Sequence, residues 1–186
     1  MTNSKSNIYS TAIMFTDIVG YSKMIEKDER SALNLLDEHN NIIEPIITMH
    51  DGEIIKLIGD SIFARFLSSN SSVFAAMKIQ NKLKERNRIS NKRENINIKI
   101  GLHFGEVFEK DEDLYGHDVN LGSRIENICM PGGISASESF CNQVTKQDNI
   151  WIRSMGFVKL KNISKPQNLF RIYLDKEEYL SETDDE

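Results

Sequence analysis

The hydrophobic positions of this chain keep two rhythms. In "TAIMFTDI", Thr11 to Ile18, apolar residues crowd into a run of strand length. In "EIIKLIGDSIFARF", Glu53 to Phe66, two such runs flank Gly59-Asp60. The first run predicts a strand and the second a hairpin closed by a two-residue turn. Between them, "SALNLLDEHNNIIEPIITMHDG" spaces its apolar residues three and four apart. That spacing predicts a helix that stops at Gly52 and kinks or breaks at Pro45. "SSVFAAMKIQNKLKERN" predicts a second amphipathic helix, and "NINIKIGLHFGEVF" a further strand followed by the polar loop "EKDEDLYG". "HDVNLGSRIENICM" reads as a helix ended by Pro131-Gly132-Gly133. "GISAS" reads as a short strand, "ESFCNQV" as a short helix, and "FVKLKNISKPQNLFRIYL" as a closing pair of strands.

Strands and helices alternate, but a hairpin interrupts them, which excludes a purely parallel doubly wound sheet. The pattern predicts an α/β (α+β) sandwich of ferredoxin-like kind, a mixed or antiparallel sheet with helices packed on one face. Residues 1–10 are polar and read as a flexible lead-in, and "DKEEYLSETDDE", residues 175–186, as an acidic tail, mobile or a linker. Residues 11–174 then form one domain, without internal repeats.

Composition narrows the class further. The chain has 186 residues, 39% hydrophobic and 27% charged, as in ordinary soluble globular proteins. No apolar run is long enough to span a bilayer and "MTNSKSNIYS" lacks a signal-peptide core, so a cytoplasmic location without membrane contact is expected of this segment. A net charge of −5 argues against a nucleic-acid partner, and the basic stretch "KLKERNRISNKRENINIK" reads as a solvated helix end and loop. Cys129 and Cys141 have no metal-ligand spacing and read as free thiols.

Asp17 is the first chemical anomaly, a carboxylate at the end of an apolar strand. Asp60 is the second, in the hairpin turn. Taken singly, Asp17 serves equally as a helix N-cap and Asp60 as turn chemistry. Brought side by side, two such carboxylates repel unless a divalent cation lies between them, and hard oxygen ligands suit Mg2+ or Mn2+. "IVGYS" then leads into a helix, where a glycine lets backbone N–H groups approach an anion. A metal beside an anion-binding turn points to a nucleoside triphosphate. Lys56 shares strand parity with Ile54 and Ile58, and either snorkels to the sheet edge or points into a cleft. Asn120 and Arg124 stand four apart on one predicted helix face, suited to a sugar oxygen and to phosphate charge, or else to a surface contact of Arg124 with Glu126 or Asp118.

Five blocks in order, "FTDIVGYS", "DGEIIKLIGDSIFARF", "IGLHFGEV", "DLYGHDVNLGSRIENICMPGGI" and "KNISKPQNLFRIY", resemble the class III nucleotide cyclases, the adenylate and guanylate cyclase catalytic domain, in its bacterial branch. The resemblance covers about residues 10–174. It implies that Asp17, Asp60 and the carbonyl of Ile18 hold two divalent cations, Mg2+ or Mn2+, and that Lys56 and Asp113 read the edge of adenine. It implies that Asn120 and Arg124 steady the ribose and the transition state, and that the backbone of Val19, Gly20 and Tyr21 holds the β- and γ-phosphates. Lys161 stands where a basic residue meets the phosphates, although Asn162 follows it instead of the usual glycine, and Lys165 competes for the role.

The resemblance further implies an adenylate cyclase making cyclic AMP and pyrophosphate from ATP in a homodimer with shared active sites, under a regulator outside this chain. Three rivals are a cyclase of GTP or a pyrimidine nucleotide, a catalytically silent nucleotide-binding module, and a palm-type polymerase or diguanylate cyclase. The last calls for a glycine-glycine-acid-acid hairpin, and the turn here reads "IGDS".

Overall fold

A computed structural model describes residues 7–91, 94–145 and 149–182. The element order is β1 (Asn7–Ile18), α1 (Tyr21–Lys27), α2 (Glu29–Met49), β2 (Gly52–Ile58), β3 (Ser61–Phe66), α3 (Ser69–Ile89), β4 (Ile98–Lys110), β5 (Asp113–Tyr115), α4 (His117–Ile128), β6 (Ile134–Ser137), α5 (Glu138–Cys141), β7 (Trp151–Val158), β8 (Gln167–Tyr173) and α6 (Lys176–Ser181). The strands form one open mixed sheet in the order β2-β3-β1-β4-β6-β8-β7, with β5 paired to β4. Only β4 and β6 run parallel among these pairs, so the expected mixed sheet with helices is what the chain builds.

Strand parity decides what packs where, because successive side chains point to opposite faces. On β1, Ala12, Met14 and Ile18 join Ile43 and Ile47 of α2 and Val73, Ala76 and Ile79 of α3 in the main core. Ile13 and Phe15, one residue out of phase, form a second cluster with Phe63 and Val107 on the other face. There the Phe15 and Phe63 rings stack at 4.3 Å and 5°. Helix α4 covers this second face. Leu121 and Ile125 pack on Leu160, Ile163 and Leu169, and Gly122 lies so close to Ile13 that an added Cβ would stand 2.9 Å from its Cδ1. Helices therefore occupy both faces. Apolar spacing fixes that a helix has a buried stripe, but not which side of a sheet receives it.

Other boundaries also move. Strand β1 starts at Asn7 and not after the polar lead-in, because β4 pairs with it residue for residue from Glu109 to Ile98. Helix α2 runs unbroken with Pro45 inside it, capped by the Asp28 carboxylate on the Ser31 N–H (3.0 Å). The acidic tail contributes α6, which Arg171 ties to the sheet through Glu178 (2.7 Å) and Glu182 (2.8 Å). Residues 1–6 of the lead-in, 92–93 of the basic stretch, 146–148, and 183–186 of the tail lie outside the described residues. Both cysteines are free thiols. No described helix is long and apolar enough to cross a membrane.

Candidate active site

The two aspartates arrive from neighbouring strands. Asp17 follows Ile13 and Phe15 in parity and so stands on the α4 face at the end of β1. Asp60 sits in the turn that joins β2 to β3, where Gly59 takes a φ of +62°. Because β3 pairs with β1, that turn lies beside the end of β1, and Asp60 Oδ2 accepts the Ile18 N–H at 3.2 Å. Ser61, first in β3, donates its hydroxyl to Asp17 Oδ1 at 2.6 Å. Neither aspartate has a lysine or arginine within ion-pair distance among the described residues. Burial, and then the Asp17 charge, push the Asp60 carboxyl above the usual carboxylate range.

Glu126 of α4 completes the electrostatics. It is buried at 6% exposure, and burial followed by the charges of Asp17 and Asp60 lifts its carboxyl to about 7, with Lys99 acting the other way. A close approach of backbones puts it there, since a Cβ on Gly101 would stand 2.4 Å from the Glu126 nitrogen. Among the described residues no group of three or more His, Cys, Asp or Glu side chains is placed to hold a metal, and Glu126 is an electrostatic neighbour of the two aspartates. The donor set of two hard carboxylates and the Ile18 peptide fits a divalent cation of the Mg2+ kind, which takes its other ligands from water and phosphate.

Lys56 and Asp113 meet 2.5 Å apart on the same face. The sequence parity of Lys56 with Ile54 does not hold. The register shifts between Ile54 and Lys56, so Ile54 pairs with Ala64 while Lys56 pairs with Phe63 and lies with Phe63 on the α4 face. A one-residue bulge reverses the side on which every later residue of a strand points. Asp113 reaches Lys56 because "EKDEDLYG" is not a loop. Asp111 and Glu112, at φ +52° and +60°, turn β4 back on itself into β5. Burial raises the Asp113 carboxyl, but hydrogen bonds from Lys56, the Leu114 N–H and Tyr115 outweigh it and hold the group below the usual range. The Lys56 ammonium also lies 5.7 Å from the centroid of the Tyr115 ring.

Asn120 is exposed and Arg124 half-buried on α4, and neither side chain has a hydrogen-bond or ion-pair partner among the described residues. The surface pairing of Arg124 with Glu126 or Asp118 is not formed. Glu126 is buried, and Asp118 accepts the Glu106 N–H at 2.7 Å. At the start of α1, Gly20 is the N-cap with φ +77°. The Val19 N–H is donated to the Asn97 carbonyl at 2.9 Å, which leaves the N–H groups of Gly20 and Tyr21 for an anion. Lys161 and Lys165 are exposed in the loop between β7 and β8. There Asn162 takes φ +61°, a left-handed conformation that glycine adopts freely and asparagine tolerates best among other residues. Ser61, Glu126 and Tyr115 were missed by sequence reasoning. Ser61 alone carried a signal, as a hydroxyl next to the turn aspartate.

Acids at the ends of adjoining strands and a lysine–aspartate pair thus share one face of the sheet. Residues 4–174 match the family model of the adenylate and guanylate cyclase catalytic domain, and the chain belongs to that family. It is 31% identical over 160 residues to putative adenylate cyclase 3 of Rhizobium meliloti, a match covering 86% of this chain and 27% of the relative. The chain thus spans about a quarter of that protein's length. An adenylate/guanylate cyclase/hydrolase structure from Silicibacter pomeroyi superposes with a TM-score of 0.79 at 28% identity, covering 90% of this chain and 98% of the other. The adenylyl cyclase CyaB from P. aeruginosa, at 20% identity, shares the fold with a TM-score of 0.80 over 91% of this chain and 96% of its own.

Proposed function

We propose that this domain is an adenylate cyclase, converting ATP to 3′,5′-cyclic AMP and pyrophosphate at sites shared by two copies of the chain. The observation that carries the reading is the convergence of Asp17 and Asp60 without a protein cation between them. Two Mg2+ or Mn2+ ions held by these carboxylates and the Ile18 carbonyl would supply Lewis-acid charge to the triphosphate oxygens and lower the pKa of the ribose 3′-hydroxyl.

The protein's own groups do the rest. Lys56 donates to adenine N1 and Asp113 accepts from the N6 amine, a pattern that guanine reverses. A mismatched base would leave buried polar groups unpaired. The Gly20 and Tyr21 N–H groups take the β- and γ-phosphates, with Lys161 or Lys165 closing from the β7–β8 loop. Asn120 orients the ribose so that its 3′-oxygen lies in line with the α-phosphorus. Arg124, which has no ion-pair partner among the described residues, offsets charge as it builds on the α-phosphate. One chain supplies both the aspartates and the α4 residues, so a symmetric dimer carries two equivalent sites, each taking its aspartates from one copy and α4 from the other.

The test is turnover of ATP, GTP, CTP and UTP with Mn2+, products identified by mass, for the wild type and Asp60→Ala. Cyclic AMP from the wild type alone supports the reading. Equal inertness of both proteins on every nucleotide sinks it, and preferential turnover of GTP or a pyrimidine nucleotide replaces the substrate.

A further inference from the structure

Asn120 and Arg124 have no side-chain partner among the described residues, so their aim is inherited from the backbone of α4. That helix lies along a track on β4. At one end Gly101 meets the Glu126 backbone, and at the other a Cβ on Gly105 would stand 2.2 Å from Asp118 Oδ2. Between the two glycines, on the same face by parity, is His103, 3% exposed.

His103 Nε2 stands 3.5 Å from Asp118 Oδ1, while Asp118 Oδ2 accepts the Glu106 N–H at 2.7 Å. The other ring nitrogen, Nδ1, lies 2.7 Å from the Ser137 hydroxyl. Ser137 is itself fixed, as its oxygen accepts the Phe140 N–H at 3.2 Å and caps α5. Burial lowers the pKa of the imidazole, so the ring is neutral at pH 7. Nε2 makes no hydrogen bond among the described residues and has the Asp118 carboxylate as its polar neighbour, at 3.5 Å. Ser137, His103 and the half-buried Asp118 therefore lie in line from α5, through β4, to the first turn of α4. Val119 of that turn packs on the Phe63 and Val107 cluster, and Leu121 and Ile125 anchor the helix further along, so the polar contacts of Asp118 add to an apolar seat.

We propose that His103 and Asp118 are positioning residues that clamp the first turn of α4 to β4 and so aim Asn120 and Arg124 across the subunit interface. The inference rests on the cyclase reading above. A misplacement of about 1 Å in a group that meets the reacting atoms costs on the order of a hundredfold in rate. Loss of the clamp therefore lowers kcat and leaves nucleotide affinity, which rests on other groups, nearly unchanged.

The experiment compares His103→Ala, Asp118→Ala and the conservative Asp118→Asn with the wild type. Expected are a fall in kcat of about ten- to a hundredfold for the two alanine variants, a KM for ATP within about threefold, and partial rescue in Asp118→Asn, which keeps an acceptor for the Glu106 N–H. Hydrogen exchange at the Glu106 amide should quicken in His103→Ala, a readout independent of turnover.

Mixing the subunits locates the defect. In a heterodimer of His103→Ala with Asp17→Ala, one site joins intact aspartates to an intact α4, and activity should return, as it should for Asp17→Ala mixed with Asn120→Ala. Restoration in the second mixture but not the first overturns the clamp, as does a wild-type kcat in His103→Ala or an unchanged Glu106 exchange rate. Failure of the second mixture, with heterodimers demonstrated, overturns the shared site instead. The clamp is then judged by kcat and exchange alone.

Discussion

Glu126 allows a sharp test of the electrostatics, because glutamine copies its shape without its charge. Its carboxyl is lifted from 4.5 to about 7, so the folded protein holds that proton more tightly than the unfolded chain. The contribution to stability is fully present below pH 4.5 and is lost as pH rises through 7. At 1.36 kcal/mol per pH unit, the gap corresponds to about 3 kcal/mol of strain in the alkaline protein. Glu126→Gln stays neutral throughout and escapes this penalty. For a chain of this size 1 kcal/mol moves Tm by about 2–4 °C, so the variant should melt about 6–12 °C above the wild type at pH 8.5.

Near pH 5 the two proteins should melt together. The raised carboxyl of Asp60 is common to both and largely cancels in the difference. The assay is a set of thermal melts from pH 5 to 8.5 in chelator, repeated at pH 8.5 with Mn2+. Added cation should narrow the gap, because positive charge beside Asp17 and Asp60 favours the ionised Glu126. Parallel melting curves across the whole pH range, or a variant less stable at pH 8.5, would refute the proposed burial of Glu126 against the two aspartates.

Two further outcomes follow from the packing of the site. Gly101→Ala forces its Cβ to within 2.4 Å of the Glu126 backbone, which cannot yield without moving α4. It should cost about 1–3 kcal/mol in urea denaturation, and an unchanged midpoint would contradict the close approach. Ser61→Ala removes the 2.6 Å bond that orients Asp17 and should raise the Mn2+ concentration needed for half-maximal activity about tenfold while Tm stays nearly constant. An unaltered Mn2+ requirement would show that Ser61 does not orient the carboxylate.

What could be read from the sequence follows the range of each interaction. Asp17 and Asp60 were visible because a strand end and a two-residue turn are local features, and each carried a charge against an apolar background. The mixed sheet followed from one hairpin among alternating elements. Sequence parity grouped Lys56 with Ile54 as well as with Ile58, and the bulge between Ile54 and Lys56 that parts the first pair carries no mark in the residue types. Asp113 was put in a loop because Asp111-Glu112 is an unusual pair for a tight turn with two positive φ angles, where asparagine and glycine are the common choices. Glu126, His103 and Asp118 stayed hidden for another reason. Their environments are made by strands and helices that meet only when α4 crosses β4, and a single buried glutamate or histidine looks in sequence like any surface one.

The most direct measurement of the central claim is Mn2+ binding by calorimetry in the presence of a non-cyclising ATP analogue, on the wild type, Asp17→Asn and Asp60→Asn. Asparagine keeps the shape at either position and removes the charge. The account predicts binding by the wild type and a loss of about a hundredfold or more in affinity in each variant. Equal affinity in all three proteins would mean that the two carboxylates do not hold the cation, and the catalytic reading would fall with them.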